Sequence, residues 1–183
     1  MKIELLSPFG PKILKTYISQ DIVDAINMYI KKSEVEDYSH KLVGRIETQA
    51  KIDNEFLKII DFEKLVIDLY DTYTNYYGIT PKNIELFDAW YNDSKQMDYN
   101  PTHMHNAHFS GIIYLEVPDL DKKTNDGQTH FIYGQQLEFS NSIFKVVPEV
   151  GMLLLFPSWL MHLVWPTRVE DNRRTMSFNL IYI

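Results

Sequence analysis

The chain has 183 residues, of which 45% are hydrophobic and 14% aromatic, enough to form the core of one domain. Its formal net charge is -7, and its lysines and arginines are scattered, which argues against duplex nucleic acid as a partner because phosphate binding needs clustered positive charge. The absence of cysteine excludes disulfides and thiolate metal sites.

The N-terminal residues lack the basic-then-apolar layout of a signal peptide, and no apolar run approaches the roughly 20 residues of a membrane span. We therefore expect no association with a membrane. The expected location is the cytoplasm, or the host cytoplasm if the chain is encoded by a phage. The oligomeric state cannot be read from the sequence.

The N-terminal part of the chain predicts two short strands and the first of two helices. The strands are expected over residues 3–6 and 12–17, with a turn over residues 7–11 that contains proline and glycine. Ser19 can then cap an amphipathic helix that runs to about Lys32.

A second, longer helix is expected from about Asn54 to Tyr77, because apolar residues recur at helical spacing and Gly78 can end it. Residues 33–52, between the two helices, are polar and weakly patterned. We expect both helices to pack against one outer face of the larger sheet of a β core.

From residue 84 onward the pattern changes to short strands separated by turn signals. The predicted strands cover residues 84–91, 109–117, 129–133, 143–147, 152–156, 161–165 and 173–183. Seven or eight strands without intervening helices favour a sandwich or jelly roll over a parallel α/β sheet. We predict a single domain over residues 1–183, with N-terminal strands and support helices in 1–80 and the β core in 84–183.

Three histidines are the candidate ligands of a metal ion. His103 and His105 form a His-x-His pair, and side chains two residues apart on an extended segment point to the same side. His162, from a distant strand, can close one face of the metal. Three protein ligands with open positions opposite suit iron that must bind substrate and dioxygen. His108 is an alternative second ligand, although on a strand it would point away from His105.

Arg173 and Thr175 form the second part of the pattern, after His162 in the sequence. Two residues apart on a strand, they can face one carboxylate together, and the guanidinium can bind it bidentately. Arg173 would therefore supply a cation for an acidic co-substrate.

These residues and their neighbours resemble the iron(II)/2-oxoglutarate-dependent oxygenase superfamily. More narrowly, the chain is similar to a group of 2-oxoglutarate oxygenases of marine bacteria and their phages that is related to the prolyl 4-hydroxylases. The resemblance covers roughly residues 84–183. It is carried by residues 89–92, 103–105, 110–115, 148–162 and 173–179.

The resemblance implies a double-stranded β-helix, which is a cupin-like jelly roll, with supporting α-helices. It implies a non-haem Fe(II)- and 2-oxoglutarate-dependent dioxygenase, a hydroxylase. Such an enzyme couples decarboxylation of 2-oxoglutarate to succinate with oxidation of a C–H bond in a small-molecule or peptide substrate. The residues implied are His103, His105 and His162 for Fe(II), and Arg173, Thr175 and Tyr114 for 2-oxoglutarate.

One departure from the superfamily concerns the second ligand. Most members have His-x-Asp, and here an imidazole replaces the carboxylate, so the metal site would be more cationic by one unit. Halogenation occurs in relatives that lack the carboxylate ligand, but His105 would fill the space that a halide needs. A cupin-like module that binds a metal or small anion without catalysis and a structural jelly roll are the alternatives from other classes.

Further residues are candidates for the surroundings of the site. Asn92 and Asn179 are candidate pocket-lining residues, although short polar side chains in strands can also satisfy backbone groups. The polar segment of residues 119–128 is a candidate lid, or simply a hairpin loop.

Overall fold

The computed structural model describes residues 3–6 and 10–183. Its elements, in chain order, are β1 (Glu4–Leu6), β2 (Ile13–Tyr17), α1 (Gln20–Lys32), a short 3-10 helix (Ser39–Lys41), β3 (Thr48–Lys51), α2 (Asn54–Ile59), α3 (Phe62–Tyr76), β4 (Ile84–Ser94), β5 (Asn100–His103), β6 (Phe109–Glu116), β7 (Thr129–Ile132), β8 (Ile143–Val146), β9 (Met152–Pro157), β10 (Met161–Val164) and β11 (Arg173–Tyr182). The predicted turn over residues 7–11 lies mostly outside the described residues.

The described strands form two antiparallel sheets. The larger sheet has the order β1-β2-β9-β6-β11-β4-β3, and the smaller one has the order β5-β10-β7-β8. The chain crosses between the sheets several times after β4, as strands of a jelly roll do. The predicted mainly β fold with supporting N-terminal helices is therefore confirmed.

The three helices cover the outer face of the larger sheet. Phe62 in α3 packs edge-on against Phe178 in β11, with ring centroids 5.3 Å apart. Gly111 in β6 lies directly beneath the Phe178 ring, where an added Cβ would come within 2.1 Å of it. Helices and outer face together form one apolar core, as the sequence predicts. Among the described helices, none is long and apolar enough to cross a membrane.

A second apolar cluster fills only one side of the space between the two sheets. It includes Ile112 and Tyr114 from β6, Phe156 from β9 and Phe131 from β7, all of them buried. On the other side, where β4 and β11 face β5 and β10, polar side chains replace these large apolar ones and leave a cavity.

Two parts of the N-terminal half differ from the prediction. The single helix expected over residues 54–77 is wrong, because Asp61 adopts a left-handed conformation (φ 50°) that separates α2 from α3. The apolar spacing continues across this break, so the sequence pattern does not reveal where α2 ends and α3 begins. Residues 33–52 contain the 3-10 helix and β3, which pairs with β4 at the edge of the larger sheet.

Candidate metal centre and anion pocket

The cavity between the two sheets has a volume of about 720 Å³. Its walls come from β4 and β11 in the larger sheet and from β5 and β10 in the smaller one. Five residues of the segment 38–46, which precedes β3, also line it, and the 91% exposure of Val43 places this segment at the mouth. His103, His105, His162, Arg173 and Thr175 all line this one cavity.

The fold brings the three candidate histidines together. His103 in β5 lies directly opposite His162 in β10. His105 follows the end of β5, where its backbone N–H donates to the carbonyl oxygen of Ser158 (3.0 Å). The ligand nitrogens of the three histidines all lie within 4.8 Å of one another.

Backbone carbonyls orient two of these imidazoles. The Nδ1 atoms of His103 and His162 lie 2.8 and 2.9 Å from the carbonyl oxygens of Pro101 and Leu160. Because a carbonyl oxygen only accepts, each Nδ1 carries the hydrogen and each Nε2 keeps a lone pair for a ligand.

The spacing of the nitrogens also fits a metal ion. Nε2 of His105 lies 3.3 Å from Nε2 of His162. Two nitrogens bound at right angles to one ion, each about 2.1 Å from it, would be about 3.0 Å apart. This pair therefore fits one transition-metal ion, and the His103 nitrogen lies within 4.8 Å of both.

Burial keeps the three imidazoles uncharged. It lowers the pKa of His103, that of His105 to about 4 and that of His162 to about 3. The nearby His103 imidazole lowers the pKa of His105 and of His162 further. Only the neutral imidazole can bind a metal, so at neutral pH no proton has to leave before an ion enters.

His108 lies outside this group. Its side chain is exposed, its Nδ1 accepts a hydrogen bond from the backbone N–H of Tyr182 (3.1 Å), and its ring packs on the Tyr182 ring. It is not among the residues that line the cavity. Of the two alternatives for the second ligand, only His105 is close to His103 and His162.

Arg173 is a buried cation with an unusual set of partners. Its side chain is 2% exposed, Nε donates to the carbonyl oxygen of Gly127 (3.1 Å), and a terminal nitrogen lies 3.4 Å from Oγ1 of Thr129. No carboxylate of the described residues forms an ion pair with it. Burial lowers the pKa of the guanidinium, since the charge has been taken from water without an anion to offset it. An anionic ligand in the cavity would supply that partner.

Thr175 and Tyr114 differ in position: Thr175 lines the cavity, and Tyr114 lies behind its wall. Thr175 lines the cavity on the same face of β11 as Arg173. Tyr114 is fully buried behind the wall, with its ring 5.3 Å from the Arg173 guanidinium and its hydroxyl donating to Oγ1 of Thr129 (2.8 Å). Thr129 itself lines the cavity beside Arg173. Nothing in the sequence points to Thr129, because a lone threonine in a short strand carries no signal.

Both asparagine candidates line the cavity, and each has a polar partner. The amide oxygen of Asn92 accepts a hydrogen bond from Gln49 Nε2 (2.8 Å), and that of Asn179 accepts one from the hydroxyl of Ser110 (2.7 Å). Gln49 belongs to β3, a strand that is not predicted from the sequence.

The candidate lid is not at the mouth of the cavity. None of residues 119–128 lines it. The carboxylate of Asp126 holds this segment by accepting hydrogen bonds from the backbone N–H groups of Asp121 and Arg168. The segment at the mouth is instead residues 38–46, which had no clear pattern in the sequence.

Comparisons with known proteins point to one family. A family model with the description "Putative 2OG-Fe(II) oxygenase" matches residues 88–179. Curated protein sequences give no match to the chain.

Solved structures share the fold over most of the chain. A prolyl-4-hydroxylase from Pseudomonas putida is 15% identical, with a TM-score of 0.63, and the match covers 91% of each chain. A viral collagen prolyl hydroxylase from Paramecium Bursaria Chlorella virus-1 is 16% identical, with a TM-score of 0.60, over 93% of this chain and 96% of that one. HygX from Streptomyces hygroscopicus, solved with nickel and 2-oxoglutarate bound, is 11% identical, with a TM-score of 0.67, over 93% and 82%. At these identities the similarity shows the fold alone.

Proposed function

Because the chain belongs to the 2OG-Fe(II) oxygenase family, we propose that it is a hydroxylase in which His103, His105 and His162 hold the iron. The family uses Fe(II), 2-oxoglutarate and dioxygen. The observation that carries the proposal is the meeting, in one cavity, of three uncharged imidazoles and a buried guanidinium. That guanidinium has no anionic partner among the described residues.

Three histidine ligands leave positions open for the co-substrate and dioxygen. Fe(II) bound there supplies the activation of dioxygen that the side chains cannot supply themselves. The carbonyls of Pro101 and Leu160 hold the imidazoles of His103 and His162 in the tautomer that can bind the metal through Nε2. The cavity walls shield the reacting groups from bulk water.

Arg173 and Thr175 are proposed to hold the distal carboxylate of 2-oxoglutarate. The guanidinium pairs with both carboxylate oxygens, and the Thr175 hydroxyl donates to one of them. Tyr114 belongs to the same pocket but acts through its neighbours: its ring supports Arg173, and its hydroxyl orients Thr129. Burial raises the pKa of Tyr114, so this hydroxyl stays a donor.

The proposed reaction converts a C–H bond of a small-molecule or peptide substrate into C–OH. The balance requires one molecule each of 2-oxoglutarate and dioxygen, and it yields succinate and carbon dioxide. One oxygen atom enters succinate and the other enters the hydroxyl group. The anionic co-substrate offsets part of the extra positive charge that His105 leaves on the metal.

The test is formation of succinate from 2-oxoglutarate with added Fe(II), across pools of amino acids, prolyl peptides and small metabolites. We expect turnover that depends on iron and is stimulated by one pool. His162→Ala and Arg173→Ala should abolish it. His108→Ala removes an exposed histidine outside the cavity and should retain turnover.

The amount of iron bound per chain, compared with succinate formation, distinguishes this proposal from a binding module without catalysis. We expect one iron per chain, lost in His162→Ala and retained in His108→Ala. Equimolar iron binding without succinate from any pool would favour the cupin-like binding module. Absence of iron binding would favour a structural jelly roll.

A further inference from the structure

The inner faces of β4 and β11 form a ladder of polar and aromatic side chains along the cavity. In register, the cross-strand pairs are Arg173–Ser94, Thr175–Asn92, Ser177–Trp90 and Asn179–Asp88. Successive pairs are about 7 Å apart along the strands, so the ladder is about 20 Å long. The Trp90 ring lies 5.5 Å from the His105 ring, which places the histidines beside the middle of the ladder. Asp88 therefore lies beyond the histidines, on the side away from Arg173.

Asp88 has an unused acceptor atom. Its Oδ1 is buried and has no hydrogen-bond partner among the described residues. Burial raises the pKa of the carboxyl group, while a hydrogen bond from Asn179 and the charge of Lys51 act in the opposite direction. A buried carboxylate oxygen without a donor is costly, and a ligand with an N–H donor would remove that cost.

Lys51 provides the opposite charge on the same wall. It lies on β3 directly across from Trp90 and lines the cavity with Asp88. No ion pair of the described residues includes Lys51 or Asp88, although the two charges are near enough to interact. Both residues also border a shallower cleft at the edge of the sheet. The hydrogen bond between Asn179 and Asp88, and the register of Lys51 with Trp90, place their side chains on the cavity side.

Resting on the proposed function, we infer that the primary substrate is a free α-amino acid, whose ammonium group donates to Asp88 and whose carboxylate pairs with Lys51. An α-amino acid carries an ammonium group and a carboxylate on the same carbon atom, so it can pair with two opposite charges on one wall. Neither a peptide interior nor a neutral metabolite has both.

The geometry also favours a particular kind of side chain. From Asp88 the substrate side chain runs about 7 Å along β4 and over Trp90 to reach the histidines. Across the mouth, the wall includes Tyr38, Lys41 and an apolar group of Leu42, Val43 and Ile46, of which Val43 is 91% exposed. A long apolar side chain would contact this apolar group and cover most of the distance, so L-methionine is the main probe, L-leucine is a shorter one and glycine is a control without a side chain.

Equilibrium binding to the metal-free full-length chain tests the two charges separately. L-Methionine is compared with N-acetyl-L-methionine, which lacks the ammonium group, and with L-methionine methyl ester, which lacks the carboxylate. By ligand-observed NMR or calorimetry, we expect the zwitterion to bind at least about tenfold more tightly than either derivative. Equal or tighter binding of both derivatives would overturn the inference.

Two variants assign each charge to its residue. Asp88→Asn should remove the preference over the N-acetyl derivative, and Lys51→Met should remove the preference over the methyl ester. Glu47→Gln changes the net charge as Asp88→Asn does, but Glu47 is exposed and lies off the cavity, so both preferences should remain. Lys51 is exposed, so Lys51→Met keeps the test available if Asp88→Asn fails to fold.

The binding measurement needs neither iron nor turnover, so the two proposals can fail independently. Charge-selective binding of L-methionine without succinate in any pool would uphold the amino-acid site and contradict the oxygenase proposal. Succinate formation stimulated only by prolyl peptides, without binding of L-methionine or L-leucine, would uphold the oxygenase proposal and contradict the amino-acid site. If Lys51 and Asp88 form an ion pair with each other in solution, L-methionine will not bind. That result would also overturn the inference.

Discussion

Arg173 and Arg174 are neighbours in the sequence and are both buried, yet they serve opposite faces of β11. Arg174 binds both oxygens of Asp93 at 2.7 Å and one oxygen of Glu116 at 3.2 Å, and so ties together β4, β6 and β11. Arg173 faces the cavity, where no carboxylate of the described chain meets it. The contrast separates a cation that holds the sheet together from a cation available to a ligand.

We predict that Arg173→Lys weakens use of 2-oxoglutarate. An ammonium group cannot bind a carboxylate through two parallel hydrogen bonds, and it sits differently against the Tyr114 ring. The KM for 2-oxoglutarate should rise about 10- to 100-fold, which corresponds to about 1.4 to 2.8 kcal/mol. Steady-state succinate formation at varied 2-oxoglutarate measures this change.

Arg174→Met is the matched control for that prediction. It leaves Asp93 and Glu116 without their cation, so unfolding should become easier by about 3 kcal/mol in a denaturant titration. The KM for 2-oxoglutarate of the folded protein should stay within about twofold of the starting value. An unchanged KM in Arg173→Lys, or a large shift in Arg174→Met, would contradict the assignment of the two arginines.

At His105, replacement by aspartate and by alanine should have different effects. His105→Asp puts an anionic ligand beside His103 and His162, and we expect iron binding to be at least as tight as in the starting protein. His105→Ala removes one ligand and should weaken iron binding at least about tenfold. Iron titration under anaerobic conditions measures both. Full affinity in His105→Ala would show that this residue is not a ligand.

Among the elements, the contact between α3 and the centre of the larger sheet depends on Gly111. Only a residue without a side chain leaves room for the Phe178 ring, which in turn packs on Phe62. Gly111→Ala should therefore destabilise the protein by about 2 kcal/mol through overpacking. Thermal or denaturant unfolding measures this effect.

A second substitution tests the cause. Phe178→Leu shortens the side chain that the new methyl group would strike. The double variant Gly111→Ala/Phe178→Leu should therefore lose less stability than the sum of the two single variants. Strict additivity would mean that Gly111 matters for a reason other than its contact with Phe178.

The sequence predicted the elements of the β core well except for β5 (Asn100–His103), which was not among the predicted strands, and it predicted those of the N-terminal part less well. Strands such as β6 and β9 have apolar runs bounded by turn residues, and both appear close to their predicted limits. The break at Asp61 depends on one backbone conformation that apolar spacing does not report. The edge strand β3 is short and half exposed, so tertiary pairing with β4 decides its conformation.

The candidate site was predictable where its residues are close in sequence or of a rare type. His103, His105, His162 and Arg173 stood out for this reason, and their grouping in one cavity was expected. Thr129 and Lys51 could not be found, because their place beside the site depends on how strands from distant parts of the chain pair. Tyr114 was found, but its contact through Thr129 required the structure.

Considered as a whole, the molecule buries neutral imidazoles that become charged in the unfolded chain below about pH 6.5. Because burial lowers the pKa of folded His162 to about 3, the unfolded state binds more protons between these two values. The stability of the metal-free protein should therefore fall as the pH decreases from about 6.5, with His162 alone contributing up to about 1.4 kcal/mol per pH unit.

Denaturant titrations at a series of pH values from 7 down to about 4.5 would measure that slope. His162→Gln removes one titrating group and should give a shallower dependence. A steeper dependence in His162→Gln, or stability that rises toward acid pH, would contradict the burial of a neutral imidazole at this position.

The mouth segment of residues 38–46 and Lys51 precede the stretch of residues 88–179 that the family shares, whereas the three histidines, Arg173 and Thr175 all lie within it. Changes before residue 88 can therefore alter which molecule enters while the iron and co-substrate groups stay in place. Exchanging this N-terminal segment between relatives offers a route to new substrate ranges, because it changes the part of the wall before residue 88 and leaves Asp88 and the proposed iron and co-substrate residues in place.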